Sequence, residues 1–262
     1  MARPVYLIGH NTNSMDEVRS AVARGLNAVE IDINSDEEGE LYVSHYGVTP
    51  LRRALPLELP SRLVPFLNEL KAFVDSPQGE ALALVILDSK LAEPRLAAEL
   101  HSKVRAHLTE EGTALHVIVS IPSLERVPFF EPLQLHLSDH EALMIDEEDD
   151  PHVVAEFFAR AGVTRAAYGN GVTTVAGFSL ASASLITCME RAVALKRLGK
   201  LGFVYPWVLV HREMIEACLR IGVSGVMVDI ENAEALTGVL AEPQFASELR
   251  RAERGDDPLA SA

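Results

Sequence analysis

VYLIGHNTNSMDEVRSAVARGLNAVEIDI, residues 5–33, reads as strand, helix, strand. Residues 5–10 form an apolar run that closes on His10. Ser14 and Glu17 stand at capping-box spacing, which predicts a helix over residues 14–24. Gly25 then ends the helix. In the strand 28–33, Glu30 and Asp32 lie two apart and share one side, while Ile31 and Ile33 point the other way, toward the helices. Such a unit implies parallel strands crossed by a helix.

The pattern continues along the chain. Strands are predicted at 41–45, 82–88, 115–121, 142–145, 166–168, 203–210 and 225–230. Helices are predicted at 60–76, 94–111, 151–161, 180–198, 212–221 and 232–251, several of them closed by glycine. The strands are continuously apolar, as strands covered on both faces are. With about eight strand–helix units and no Gly/Ser/Pro-rich linker, the fold expected is a single-domain α/β (β/α)8 TIM barrel. An open doubly wound sheet comes second, because no glycine-rich phosphate loop follows the first strand. The barrel is assigned to residues 1–252. Residues 253–262, ending DDPLASA, have no apolar pattern and are expected to form a frayed, flexible tail.

The chain has 262 residues, 48% of them hydrophobic, enough for a large core, and a formal charge of −15. That charge repels nucleic-acid phosphates and anionic membranes and excludes nucleic acid as a partner. No apolar run reaches the ~18 residues of a spanning helix, so no transmembrane segment is expected. No secretory signal is visible, which leaves a cytoplasmic protein or a secreted one whose leader has been removed. Cys188 and Cys218 lie in apolar helical stretches and read as buried thiols rather than a disulfide.

Six chemical groups fall at strand ends, where barrels gather catalytic residues: His10, Glu30, Asp32, His45, Asp88 and Lys90. Two acids aimed into a barrel are costly unless a cation meets them. With Asp88 as third ligand, Glu30 and Asp32 suit Mg²⁺, which takes a few hard oxygens and leaves places for water and phosphate. Lys90, two residues after Asp88, shares its face and can grip a phosphate oxygen. His10 and His45 suit a general acid and base on opposite faces of a phosphorus atom. His101, His107 and His116 lie on helical or pre-strand positions and read as structural or solvated. Tyr205 and Trp207 share a face and form either core packing or an aromatic wall for a headgroup.

The segments IGHNTNSMDEVRSAVARGLNAVEIDI, SHYG, LVILDSK, VIVSIPSL, YGNGVTT and VYPWVLVHREMIEACLRIGVSGVMVDI occur in that order. Together they resemble the sphingomyelinase D/phospholipase D family, a branch of the glycerophosphodiester phosphodiesterase-like barrels. The resemblance implies one Mg²⁺ held by Glu30, Asp32 and Asp88, catalytic His10 and His45, a phosphate-binding Lys90, and an aromatic pocket of Tyr205 and Trp207. It also implies a phospholipid, lysophospholipid or glycerophosphodiester substrate, cleaved by hydrolysis or with a cyclic phosphate as product. Three departures stand out. The loop HYGVTPLRRALPLELP lacks the family's cysteines, Val210 replaces an acid, and Asp229 replaces an asparagine that the family places near the substrate. Two other readings remain: a glycerophosphodiester phosphodiesterase for soluble substrates, and an inactive barrel that binds phosphorylated ligands. A two-carboxylate glycosidase fits poorly, since Glu30 and Asp32 are too close to flank a sugar bond.

Overall fold

α1 (Met15–Ala23) begins at Ser14, whose Oγ accepts the Glu17 N–H at 3.3 Å and meets the Glu17 carboxylate at 2.9 Å. The Ser14 half of the expected capping box is therefore present, with the Glu17 carboxylate meeting the Ser14 hydroxyl rather than its backbone N–H, and Val18, Ala21 and Val22 bury the inner face at helical spacing. The computed structural model describes residues 2–46, 60–109, 114–134, 136–146, 150–171 and 178–260.

Around α1 the chain lays down β1 (Arg3–Gly9), β2 (Ala28–Ser35), β3 (Leu41–Val43), α2 (Leu63–Val74), β4 (Leu84–Ser89) and α3 (Pro94–Val104). Then come β5 (His116–Ile121), β6 (Glu141–Ile145), α4 (Pro151–Ala161), β7 (Ala166–Gly171), α5 (Phe178–Arg197), β8 (Phe203–Trp207), α6 (Arg212–Ile221) and β9 (Gly225–Val228). Eight strands pair in parallel, in the order β9-β1-β2-β4-β5-β6-β7-β8. The seam between β8 and β9 is bridged by Ser224 N–H to Val204 O at 2.7 Å and Leu209 N–H to Met227 O at 2.9 Å. The result is a nearly closed (β/α)8 barrel, as expected.

Strand alternation sorts the core into two. Val29, Ile31 and Ile33 join the apolar layer under the helices, while Ala28, Ile86, Ile118, Met144 and Tyr205 fill the interior. Burying each isoleucine contributes about 1.5–3 kcal/mol. A slip of β2 by one residue would forfeit that and drive Glu30 and Asp32 under the helices. Register therefore fixes which way the acids face.

Three expectations need correction. β3 pairs antiparallel with β2, Ile33 opposite Val43, so it is the return arm of a hairpin and not a barrel stave. Asp36 makes the turn, its Oδ1 accepting from Glu38 and Glu40 N–H at 2.9 Å each. The helix predicted over 232–251 breaks into α7 (Ala233–Leu240), α8 (Pro243–Ala246) and a strand, β10 (Leu249–Arg251), paired in parallel with Arg3–Val5 of β1. Pro243 has no N–H to extend α7 and instead starts the next short helix.

The third correction concerns residues 253–260 of the expected tail, which cross the N-terminal end of the barrel rather than hanging free. Ala252 sits inside it, its carbonyl held by the buried Asn27 Nδ2 at 2.7 Å. Arg254 donates to the carbonyls of Leu82, Val74 and Gly79 at 2.9, 2.6 and 2.5 Å. Asp257 takes both nitrogens of the Arg165 fork. These bonds are polar and long in sequence, so no apolar pattern announces them. Both cysteines are free, Cys218 buried and Cys188 half-buried. Among the described residues no helix is long and apolar enough to cross a membrane.

Candidate active site

Asp32 on β2 lies opposite Asp88 on β4, and Asp88 opposite Ser120 on β5. This register brings one carboxylate oxygen each from Glu30, Asp32 and Asp88 within 4.8 Å of one another. Glu30 and Asp32 are buried, Asp88 less so. Burial, followed by the neighbouring Asp32 and Asp88, pushes the Glu30 pKa well above its ordinary value. Burial also raises Asp88, with Asp32 adding to it and Lys90 opposing. Burial works against the Lys90 ammonium, but Asp88 and Asp32 outweigh it and raise its pKa. Lys90 is paired with Asp88 and lies 3.2 Å from Asp32 Oδ1. Among the described residues one ammonium faces three carboxylates, and hard oxygens converging in this way suit a divalent cation.

The segment after β1 clamps the acids. Asn11 N–H donates to Glu30 Oε2 at 2.7 Å, and Asn11 takes a positive φ of 53° to do so. Thr12 donates to the Glu30 carbonyl from Oγ1 and from N. Asn13 brackets Asp32, donating from Nδ2 to Oδ2 at 2.8 Å and accepting its backbone N–H at 2.9 Å. Sequence reasoning passed over Asn11, Thr12 and Asn13. The signal was there in three short polar residues directly after a strand end, one of a type that tolerates left-handed backbone.

Both candidate imidazoles are backed through Nδ1. His45, delivered by the β3 hairpin and 43% exposed, lies 3.1 Å from Asp32 Oδ1, and its ring meets Tyr46 edge-on. His10 lies 2.8 Å from Asp229 Oδ1. The two aromatics part company. Trp207 is partly exposed and donates its indole N–H to the Asp146 carbonyl at 3.0 Å. Tyr205 is fully buried, and its hydroxyl donates to the Asp146 carboxylate. Its ring packs over Gly169, where a Cβ would come within 2.4 Å. As it stands, only Trp207 of the pair can offer a ring face to a ligand. Asp146, the residue that ties the two together, carried no signal in the sequence. His101 and His107 hold Glu141 and Asn68, and His116 is buried at the start of β5, away from the acids.

A family model for dermonecrotic toxin SPH matches residues 1–259. The chain belongs to this family. A curated relative, dermonecrotic toxin SPH of Ixodes scapularis, is 26% identical over 278 residues, covering 98% of this chain and 76% of the relative. Among solved structures, a phosphodiesterase of Oleispira antarctica, in complex with the product sn-glycerol-3-phosphate, superposes with TM-score 0.64 at 14% identity, covering 90% of this chain and 97% of that one. A glycerophosphodiester phosphodiesterase from Agrobacterium tumefaciens gives 0.61 at 14% identity, covering 91% and 100%. Fold and family thus agree with the resemblance seen in the sequence, and this SPH family member is an enzyme of the phosphoric diester hydrolase class. Its acidic triad fits a divalent metal.

Proposed function

We propose that this SPH family member is a Mg²⁺-dependent phosphodiesterase of phospholipase D type, sphingomyelinase D-like, that severs the headgroup of a phospholipid or lysophospholipid. The observation that carries this reading is the convergence of three carboxylates beside Lys90 and His45, with His10 on the adjoining strand. When bound by Glu30, Asp32 and Asp88, Mg²⁺ supplies positive charge to a phosphate oxygen. Lys90 adds an ammonium to the same phosphate. One of His10 and His45 takes the proton of the attacking hydroxyl, from water or from the substrate itself. The other returns a proton to the departing alcohol. Attack by water leaves an open phosphate, and attack by the substrate's hydroxyl a cyclic one. The partly exposed Trp207 ring stands where a headgroup can lie against it.

A second reading, hydrolysis of soluble glycerophosphodiesters, is favoured by the formal charge of −15, which repels anionic lipid surfaces. One panel separates the two: sphingomyelin, lysophosphatidylcholine, a lysoplasmalogen and glycerophosphocholine with Mg²⁺, products read by phosphorus NMR. Turnover of the lipids supports the first reading, and turnover of glycerophosphocholine alone the second. No turnover of any would favour the inactive, phosphate-binding barrel.

A further inference from the structure

One cleft gathers cations in a chain whose formal charge is −15. It measures about 450 Å³ and lies at the end of β1 away from His10, where α5 and α6 finish beside α8 and β10. Arg3, Arg197 and Arg220 line it. Arg3 donates to the carbonyls of Val223 and Leu219 at 2.5 and 3.3 Å, and Arg197 to that of Ile221 at 3.0 Å. Lys196, near Arg3, donates to Ser224 Oγ at 2.8 Å. Among the described residues these three cations bond carbonyls and a hydroxyl but no carboxylate. Arg220 has an acid, Glu216 at 2.8 Å, and lies over the Phe245 ring, 5.3 Å from its centroid. Glu248 is the one acid on the described lining. Burial, followed by Arg197, holds the Arg3 pKa below its ordinary value against Glu248. Burial, followed by Arg3, brings Lys196 down to about 8. The cations thus repel one another, and an anion among them relieves that repulsion.

We propose that this cleft is a second anion site, which takes the phosphate group of a small phosphate ester or of inorganic phosphate through Arg3, Arg197 and Arg220. Guanidinium forks match phosphate oxygens two at a time. Capping the end of α6 accounts for only part of each fork. A guanidinium has five N–H groups, of which Arg3 uses two on carbonyls and Arg197 one. Arg197 and Arg220 are exposed and Arg3 half-buried, so donors stand both at the mouth of the cleft and within it. The site shares no residue with the acidic triad and requires no metal. It is independent of the reaction proposed above.

The test uses the full chain in EDTA, so that no divalent metal draws phosphate to the triad, at constant ionic strength. Inorganic phosphate and glycerol 3-phosphate are titrated by calorimetry into wild type, Arg197→Gln, Arg220→Gln and Lys90→Gln, and ¹H–¹⁵N spectra locate the response. Both ligands are expected to bind wild type and to shift the amides of Gly222, Val223 and Leu249. Affinity should fall about tenfold or more in each arginine variant and stay within about twofold in Lys90→Gln. Melting temperatures check that the variants fold, and the wild-type spectra decide the location if one does not. Vesicles of phosphatidylcholine with phosphatidic acid separate two sources of the phosphate. Cosedimentation that both arginine variants abolish assigns a lipid headgroup, and soluble binding without cosedimentation assigns a free ligand. The proposal is overturned if neither soluble ligand nor vesicle binds saturably up to about 10 mM phosphate. It is equally overturned if the shifts gather around Lys90, or if binding survives in both arginine variants and is lost in Lys90→Gln. No turnover is needed, so failure here leaves the catalytic reading untouched.

Discussion

An acid inside a barrel is stable only where a cation meets it, and among the described residues Glu30, Asp32 and Asp88 share a single ammonium, Lys90. Glu30→Gln keeps the shape of the side chain and removes one charge from the triad. Mg²⁺ affinity measured by calorimetry should fall at least about tenfold. Unchanged affinity would mean that Glu30 is not a ligand. Trp207 offers a second test. If the headgroup is choline, Trp207→Ala should raise KM for choline substrates by the equivalent of about 0.5–2 kcal/mol and affect a glycerol headgroup much less. Equal losses would place the ring against the lipid tail or the core. Much of this site was legible, because a period of two sends Glu30 with Asp32, and Asp88 with Lys90, to one side. Residues joined only by closure of the barrel were not legible in role. Asp229 meets His10 across 219 positions, and Asp146 meets Tyr205 across 59.

Elements that announce themselves by apolar periodicity appear where expected, and the failures share a cause. β3 reads as a strand and is one, but nothing in five residues tells a hairpin arm from a barrel stave. The stretch 232–251 has a helical composition, yet Pro243 divides it and β1 offers Arg3–Val5 as an open edge for Leu249–Arg251. The segment beyond is held by point contacts, of which Arg254 makes three with carbonyls. Arg254→Ala leaves those carbonyls to water at the barrel end and should destabilise the fold by about 1–3 kcal/mol. Denaturant unfolding measures this, and hydrogen exchange should show lost protection concentrated in residues 249–260. A change spread evenly over the barrel, or none, would show that this segment contributes nothing to holding the N-terminal end closed.

At the scale of the whole molecule the barrel separates two charged ends. One carries the acidic triad. The other carries His116, 4% exposed, with Nδ1 unpaired among the described residues. Burial brings the His116 pKa down from 6.5 to about 4, with His140 and Arg165 adding to the effect and Asp257 opposing it. The folded protein therefore refuses a proton that the unfolded chain accepts below pH 6.5. The stability from this group is complete above that pH and is lost as pH falls toward about 4. The loss is on the order of 1–2 kcal/mol, allowing for solvent screening at the barrel end. Glu30 and Asp88 act in the opposite sense, since raised pKa values let the folded state hold protons the unfolded chain has released. The wild-type curve alone thus mixes opposing slopes. His116→Gln removes one titration and leaves the carboxylates in place. The difference in unfolding free energy between wild type and His116→Gln, measured from pH 7.5 to 4, should be flat at the upper end and shift against wild type below pH 6.5. A difference that stays constant across the whole range would mean that His116 takes up its proton as readily in the folded barrel as in the open chain.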